Sequence, residues 1–438
     1  MENDKHKLKK EEITKVAFKE WGKTCFFNMS LSLIANKMKI TKASIYRYFK
    51  NKDELLESLV TYFFNGYWVN SKPFFEDSKS QNFEEFLYSY IKFHFYFYGK
   101  NPEFLYFFTS STTKNAMFNN PDYKRIEIYE RELMCNKIKE YNIPISHNEA
   151  EYYLRFIYGL GIFLTFYFLS LNEKKEMNPL SDFDVEKLIN LTYEISLNGF
   201  RNGNISPNID FEEIENHSSV KKEEIYERNK IFDAITSVVA EEGLWSASLD
   251  KIAKKAGMSK SSFYFHFKNK EEMFSDMVYK EITRIKDIFI EKQRKYNTFP
   301  EKLYCDMVVD ATYMLKDLRI MHFFNWLHFQ RLNTKLFKKN DKKYNEFLNE
   351  KYFFINEAIE SNLIKNYSLD LKIISSLLNM QIVKEILVTT FIGSGFSFEN
   401  LRYIFKYFLV GITRISTDYG EGISENLCKS ALCHSTKN

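Results

Sequence analysis

Residues 34–56 read IANKMKITKASIYRYFKNKDELL, and residues 252–274 read IAKKAGMSKSSFYFHFKNKEEMF. The two blocks align at a constant offset of 218 without a gap, and 11 of their 23 positions are identical. A match of that density marks a duplicated module, and a repeat governs the fold before any single residue does. Fainter echoes extend it. Asn101-Pro102-Glu103-Phe104-Leu105-Tyr106-Phe107-Phe108 returns near Leu318-Arg319-Ile320-Met321-His322-Phe323-Phe324. Leu197-Asn198-Gly199-Phe200 returns at Leu409-Val410-Gly411-Ile412. Each half is thus about 200 of the 438 residues: a short N-terminal module, then a longer apolar helical body.

The second copy is the cleaner one. Ile231, Ala234, Ile235, Val238 and Val239 fall on one face at helical spacing. Gly243 is a helix stop, because only glycine enters a left-handed turn without steric cost. Ser248 is placed to cap a helix over 249–256, with Asp250 favourable in its first turn. Gly257 ends that helix, and Ser259 caps a short one over 260–266. Helix, tight turn and short helix make a helix-turn-helix. Asn269 then caps the next helix with Glu272 three residues on, as Asn51 and Glu54 do in the first copy.

Both copies resemble the N-terminal domain of the TetR (tetracycline repressor) family. The resemblance rests on Ile34-Ala35, Thr41, Tyr46, Phe49, Lys52 and Leu55, and on Ile252-Ala253, Ser259, Tyr264, Phe267, Lys270 and Met273. It covers about 45 residues of each copy. It implies an all-α fold of two tandem units, each a helix-turn-helix three-helix bundle followed by a larger helical body for ligand binding and dimerisation. The DNA-binding residues it implies are Thr41, Lys42, Ser44, Tyr46, Arg47, Tyr48 and Lys52, with Ser259, Lys260, Ser261, Tyr264, His266 and Lys270 in the second copy. Thr41 and Ser259 cap the recognition helix, where a phosphate can also be met. Lys42 and Lys260 lie in its first turn, within reach of guanine acceptors or phosphate. Ser44 and Ser262 are small enough for close approach. Tyr46 and Tyr264 match a family Tyr on the DNA backbone, and Lys52 and Lys270 a phosphate-binding Lys. Ile34, Ala35, Ile45, Phe49 and Leu55 read as bundle core.

The first copy departs from the pattern. Three more residues separate Gly22 from Ile34 than Gly243 from Ile252, and Lys39 stands where the second copy has Gly257. A non-Gly residue in a left-handed turn costs about 1 kcal/mol, so a reshaped first turn is expected. The basic run 5–10 is read either as an arm toward DNA or as a solvated tail.

The expected domains are 1–62 (first helix-turn-helix), 63–200 (first body), 201–222 (linker), 223–281 (second helix-turn-helix) and 282–438 (second body). The linker is polar, with Gly and Pro. In the family the last two helices of each body build a dimer interface, which points to 148–171 and 182–200, and to 371–393 and 397–414. Two copies on one chain predict an intramolecular pseudo-dimer; further homodimerisation stays open. Family dimers hold their recognition helices about 34–36 Å apart. The implied function is a ligand-responsive repressor of transcription, with a double-stranded DNA operator and a small-molecule effector as partners. Ala43, Ile45, Arg47 and Tyr48 face Ser261, Phe263, Phe265 and His266 in the other copy, which predicts an imperfect inverted repeat as the operator. His94, Phe95, Tyr98, Phe107, His322 and Trp326 are candidate cavity residues, each also readable as plain core. The alternative is an adaptor whose degenerate modules do not read sequence alone.

Composition agrees with a helical, soluble class. Only 14 Gly and 7 Pro interrupt the chain, too few turn formers for an all-β sandwich. The 17% aromatic content fits either an aromatic cavity or the codon bias of AT-rich coding DNA. Residues 1–60 carry 13 Lys and Arg against 8 Asp and Glu, a balance of +5, while residues 221–280 carry 11 against 10. The apolar run 156–171 is 16 residues, short of the about 20 that span a bilayer, and reads as a buried helix. The charged N-terminus has no apolar core, so a cytoplasmic protein is expected. Five scattered cysteines give no disulfide framework. Cys428, Cys433 and His434 are a poor metal set. No Gly-rich phosphate loop, H-E-x-x-H or G-x-S-x-G is present, so no cofactor, metal or enzymatic role is called for.

Overall fold

The computed structural model describes residues 2–24, 30–77, 79–109, 120–171, 178–202, 205, 209–225, 230–242, 248–267, 269–318, 320, 341–393 and 395–412. Among them are nineteen α-helices and no strands. The first half runs α1 (Glu2–Thr24), α2 (Leu31–Met38), α3 (Lys42–Tyr46), α4 (Lys52–Asp77), α5 (Phe83–Lys100), α6 (Pro102–Thr109), α7 (Pro121–Glu140), α8 (His147–Leu171) and α9 (Asp182–Asn198). Next comes α10 (Phe211–Ser218). The second half runs α11 (Lys230–Glu242), α12 (Leu249–Lys255), α13 (Lys260–His266), α14 (Lys270–Gln293), α15 (Phe299–Lys316), α16 (Asp341–Lys351), α17 (Phe353–Glu360), α18 (Leu371–Ile392) and α19 (Phe398–Val410).

The helices start where polar caps allow. Asn82 and Thr298 cap α5 and α15, and Ser181 and Ser397 cap α9 and α19. Each side-chain oxygen takes one of the N–H groups that a helix start leaves without a partner. The paired caps set the two bodies in register and make α5, α8 and α9 the counterparts of α15, α18 and α19. Residues 147–169 are long and apolar enough to cross a membrane, yet 78% of that window is buried within the fold. Glycine makes the packing possible: a Cβ on Gly161 would overlap the Phe95 ring of α5.

The halves pack on each other. α8 lies against α18 and α19, and α9 lies against α19. Phe200 N–H donates to Phe408 O at 2.8 Å, while Ile412 N–H donates to Ser196 O at 3.2 Å. The two bonds exchange equivalent positions, as about a two-fold axis. At the crossing, Gly199 (φ 61°) meets the Leu409 backbone and Gly411 (φ 63°) meets the Leu197 backbone. A Cβ on either would sit about 2.5 Å or less from main-chain atoms. Around this point the junction is one-sided. Arg155 of α8 pairs with Glu385 of α18 at 3.5 Å, Glu385 accepts from Asn400 Nδ2 at 2.6 Å, and Gln381 Nε2 donates to Phe156 O at 3.0 Å.

Within 201–222, residues 211–218 form a packed helix. α10 rests on α15 and buries Ile214 and Ser218. Arg402 of α19 grips Glu215 with two charge-assisted hydrogen bonds, at 2.7 and 2.6 Å. The connection between the halves is thereby fixed to the second body.

Candidate nucleic-acid interface

Each head is built by the same local contacts. Ser44 N–H donates to Thr41 Oγ1 at 3.1 Å, and Ser262 N–H donates to Ser259 Oγ at 3.1 Å. These bonds start α3 and α13. Ser30 and Ser248 cap the preceding helices, accepting from Leu33 N–H and Lys251 N–H. Ile45 and Phe263 are fully buried against the bundle, together with Ile34, Ala35, Phe49 and Leu55 and with Ile252, Ala253 and Met273. With that side inward, α3 exposes Lys42, Ala43 and Tyr46, and its C-cap residue Arg47 is exposed beside them. α13 exposes Lys260, Ser261, Tyr264 and Phe265 at the equivalent positions, and Ser262 besides. The spacing i, i+1, i+4, i+5 makes each set one helix face.

Three of the remaining expected residues flank that face. Ser44 is half-buried, its hydroxyl 2.8 Å from Thr41 Oγ1. Tyr48 is half-buried, and its ring centroid lies 4.7 Å from that of His6. Lys52 is exposed in the first turn of α4. The side chains of His266 and Lys270 lie outside the described residues.

Lys39 does not reshape its turn, contrary to the sequence expectation. It adopts φ 55° and ψ 39°, the same left-handed region as Gly257 at φ 69°. Ile40 N–H then donates to Ala35 O at 3.0 Å, as Met258 N–H does to Ala253 O at 2.9 Å. The two closing hydrogen bonds match, so the first turn tolerates the strain and keeps the shape. The basic run 5–10 belongs to α1. Lys10 pairs with Glu54 at 2.7 Å and lies over the Phe49 ring. The Lys10 ammonium and then the Lys50 N–H hold the Glu54 carboxyl below the ordinary carboxylate range.

Charge separates the copies. Lys260 contacts Asp250 of α12 at 2.8 Å, and that carboxylate raises its pKa. The first copy has Ser32 at the place of Asp250, so it lacks the carboxylate that pairs with Lys260 in the second.

Of the cavity candidates, His94, Phe95, Tyr98 and Phe107 are all buried. Phe107 joins Phe104, Phe63 and Phe18 in an aromatic cluster that ties α1 to α6, with Phe18 rings 4.8 and 4.9 Å from Phe104 and Phe107. His94 contacts the Tyr90 carbonyl through Nδ1 at 2.7 Å, and the Tyr67 and Tyr158 hydroxyls through Nε2 at 2.5 and 2.8 Å. All of these groups converge on Glu130 of α7. Tyr158 donates to it at 2.5 Å, Tyr90 at 2.9 Å, and Tyr67 donates as well. Burial alone would raise the Glu130 carboxyl, but His94 and the tyrosine hydroxyls outweigh it and bring it below its ordinary value. His322 and Trp326 lie outside the described residues, as do Cys428, Cys433 and His434.

The second body holds a cluster of opposite polarity at the corresponding place. Lys351 of α16 is buried between Asp306 at 2.9 Å and Asp310 at 2.7 Å on α15, with the Tyr352 hydroxyl at 3.1 Å. In cap register, Tyr90 and His94 correspond to Asp306 and Asp310. The first body therefore has its base on the fifth helix and its acid across from it; the second body has the reverse. Nothing in the spacing of these residues announced either cluster, because each partner lies tens of residues away in sequence.

Comparison with known proteins identifies the heads. The family model described as bacterial regulatory proteins, tetR family, matches residues 13–59 and 231–277. Both heads are tetR-family domains. The chain is thus a tandem of two tetR-type units. It is similar to the HTH-type transcriptional regulator AcrR of Shigella flexneri, 29% identical over 89 residues, which is 20% of this chain and 41% of AcrR. It is also similar to the fatty acid metabolism regulator protein of Bacillus subtilis (strain 168), 28% identical over 140 residues, 31% of this chain and 70% of that one. A solved structure of the transcriptional regulator FadR from Bacillus subtilis, in complex with stearoyl-CoA, aligns at 22% identity and a TM-score of 0.34, covering 43% of this chain and 98% of FadR.

Proposed function

We propose that this tandem tetR-type chain is a sequence-specific DNA-binding regulator of transcription that binds one imperfect inverted repeat as a single-chain pseudo-dimer. The observation that carries the reading is the pair of matched outward faces, on α3 and α13, on two halves joined through α8, α9, α18 and α19. In such an arrangement each head meets one half-site, Thr41, Lys42, Tyr46 and Lys52 serving the first and Ser259, Lys260 and Tyr264 the second. Phosphate contacts from Lys and the helix starts fix position; the differing residues read sequence. The domains act as 1–62 and 223–281 for DNA, and 63–200 and 282–438 for pairing and regulation.

The regulatory step we propose is release of a repressed site by a small-molecule effector. An effector bound in a body shifts the population toward a state with altered head spacing, and DNA affinity falls by the ratio of its affinities for the two states. The Phe18–Phe104–Phe107 cluster supports this, because it links α1 of the head to α6 of the body.

Selection of bound duplexes from a random DNA pool, alongside the solution mass, tests the proposal. A monomer that enriches a single imperfect inverted repeat supports it. Binding with no enriched sequence that vanishes at moderate salt overturns it in favour of an adaptor.

A further inference from the structure

Phe265 is the most exposed of the large apolar side chains among the described residues, at 89%. It stands on the outward face of α13, beside Tyr264 and one turn beyond Ser261. The equivalent position in the first copy is Arg47, the C-cap residue of α3, also exposed. Two of the four outward residues are the same in both copies: Lys42 with Lys260, and Tyr46 with Tyr264. Among these four positions, the two faces differ through Ala43 against Ser261 and through Arg47 against Phe265. The second exchange is the larger, a five-donor cation against a ring with no polar atom.

We infer that Phe265 and Arg47 set the asymmetry of the operator: at the same step of the two half-sites, the second head selects thymine and the first selects guanine. This rests on the DNA-reading function proposed above. A phenyl ring can neither donate nor accept. Within the major groove the one apolar group on a base edge is the C5 methyl of thymine, so apolar contact there favours T over the other bases. A guanidinium is the opposite case. Its planar fork matches the O6 and N7 acceptors of guanine. The surroundings keep each group on its face: Phe263 and Ile45 are buried on the far side of the same short helices and hold their rotation. Lys42 and Lys260 are the same residue type in both halves; Asp250 beside Lys260 changes its charge environment and not the base edges it can meet.

The experiment uses the full chain in three forms: wild type, Phe265→Arg and Arg47→Phe. Each is put through selection from a random duplex pool, and the wild-type consensus is then resynthesised with deoxyuridine for the thymine in question. Both side chains are exposed, so the variants are expected to fold, which circular dichroism and melting check. The expected result is a repeat with T in one half and G in the other. Phe265→Arg converts that T to G and leaves the other half unchanged, and Arg47→Phe converts the G to T. Deoxyuridine, which lacks only the methyl, weakens wild-type binding by about fivefold or more and leaves Phe265→Arg unaffected. Three results overturn the inference while leaving the regulator reading intact: the same base in both halves at this step, unchanged consensus in the variants, or no effect of deoxyuridine. An unchanged consensus for Arg47→Phe with a weaker salt dependence would assign Arg47 to phosphate and likewise overturn the paired rule. If wild type enriches no sequence, both readings fall together.

Discussion

At the scale of single residues, two positions store energy that can be measured. Lys39 holds a left-handed conformation that its counterpart Gly257 adopts without a side chain. Lys39→Gly removes a strain of about 1 kcal/mol. The expected outcome is equal or higher stability of the first head on chemical denaturation, with DNA affinity unchanged; destabilisation would show that the lysine makes a compensating contact. Asp306 is the second position. Burial, with Asp310 adding to it, pushes its carboxyl up to about 7 against the pull of Lys351. The folded chain then keeps a proton that the unfolded chain releases above the ordinary 3.8. Its contribution to stability is full below that value, falls as pH rises toward about 7, and is flat beyond. Asp306→Asn is expected to flatten this slope and to be at least as stable as wild type at pH 8. Lys351→Met, which strands two buried carboxylates, is expected to cost about 3–5 kcal/mol in the same denaturation series.

At the scale of elements, the recognition helices depend on their first residue. α3 and α13 are short, so neither is stable by propagation alone. Their starts are fixed by Thr41 and Ser259, and their rotation by Ile45 and Phe263. Thr41→Ala is expected to destabilise the first head by about 1 kcal/mol, read from its melting. Lys42→Ala leaves the cap in place and is expected to lower the slope of log affinity against log salt by about one. An unchanged slope would place Lys42 away from phosphate.

At the scale of the molecule, the two halves are locked where their last helices end. Gly199 and Gly411 each let a main chain approach the other half within the space a methyl would need. Both also hold backbone angles that side chains rarely adopt. Gly199→Ala or Gly411→Ala is therefore expected to cost at least about 2–3 kcal/mol and to split one cooperative unfolding transition into two. Gly257→Ala is the control. Its Cβ meets nothing within 4 Å, and it is expected to cost only about 1 kcal/mol. If the three variants melt alike, the crossing does not join the halves.

The sequence by itself determined the local half of this protein. Duplicated blocks, caps such as Ser259 and Asn51, and apolar spacing all act within a few residues, so the heads, their core and the last helices at 371–392 and 398–410 could be read from the chain. Lys39 shows the limit, since a turn's shape follows from the hydrogen bonds that close it and not only from the residue within it. What tertiary structure decided is everything that joins distant segments. The Glu130 and Lys351 clusters, the fixing of 211–218 onto the second body through Arg402, and the Gly199–Gly411 crossing each pair residues far apart in sequence. Periodicity gives the buried face of a helix, but not which helix covers it. For the same reason, the sequence marked Phe263 and Phe265 alike as differing from the first copy, and only the fold showed that Phe263 is buried and Phe265 exposed.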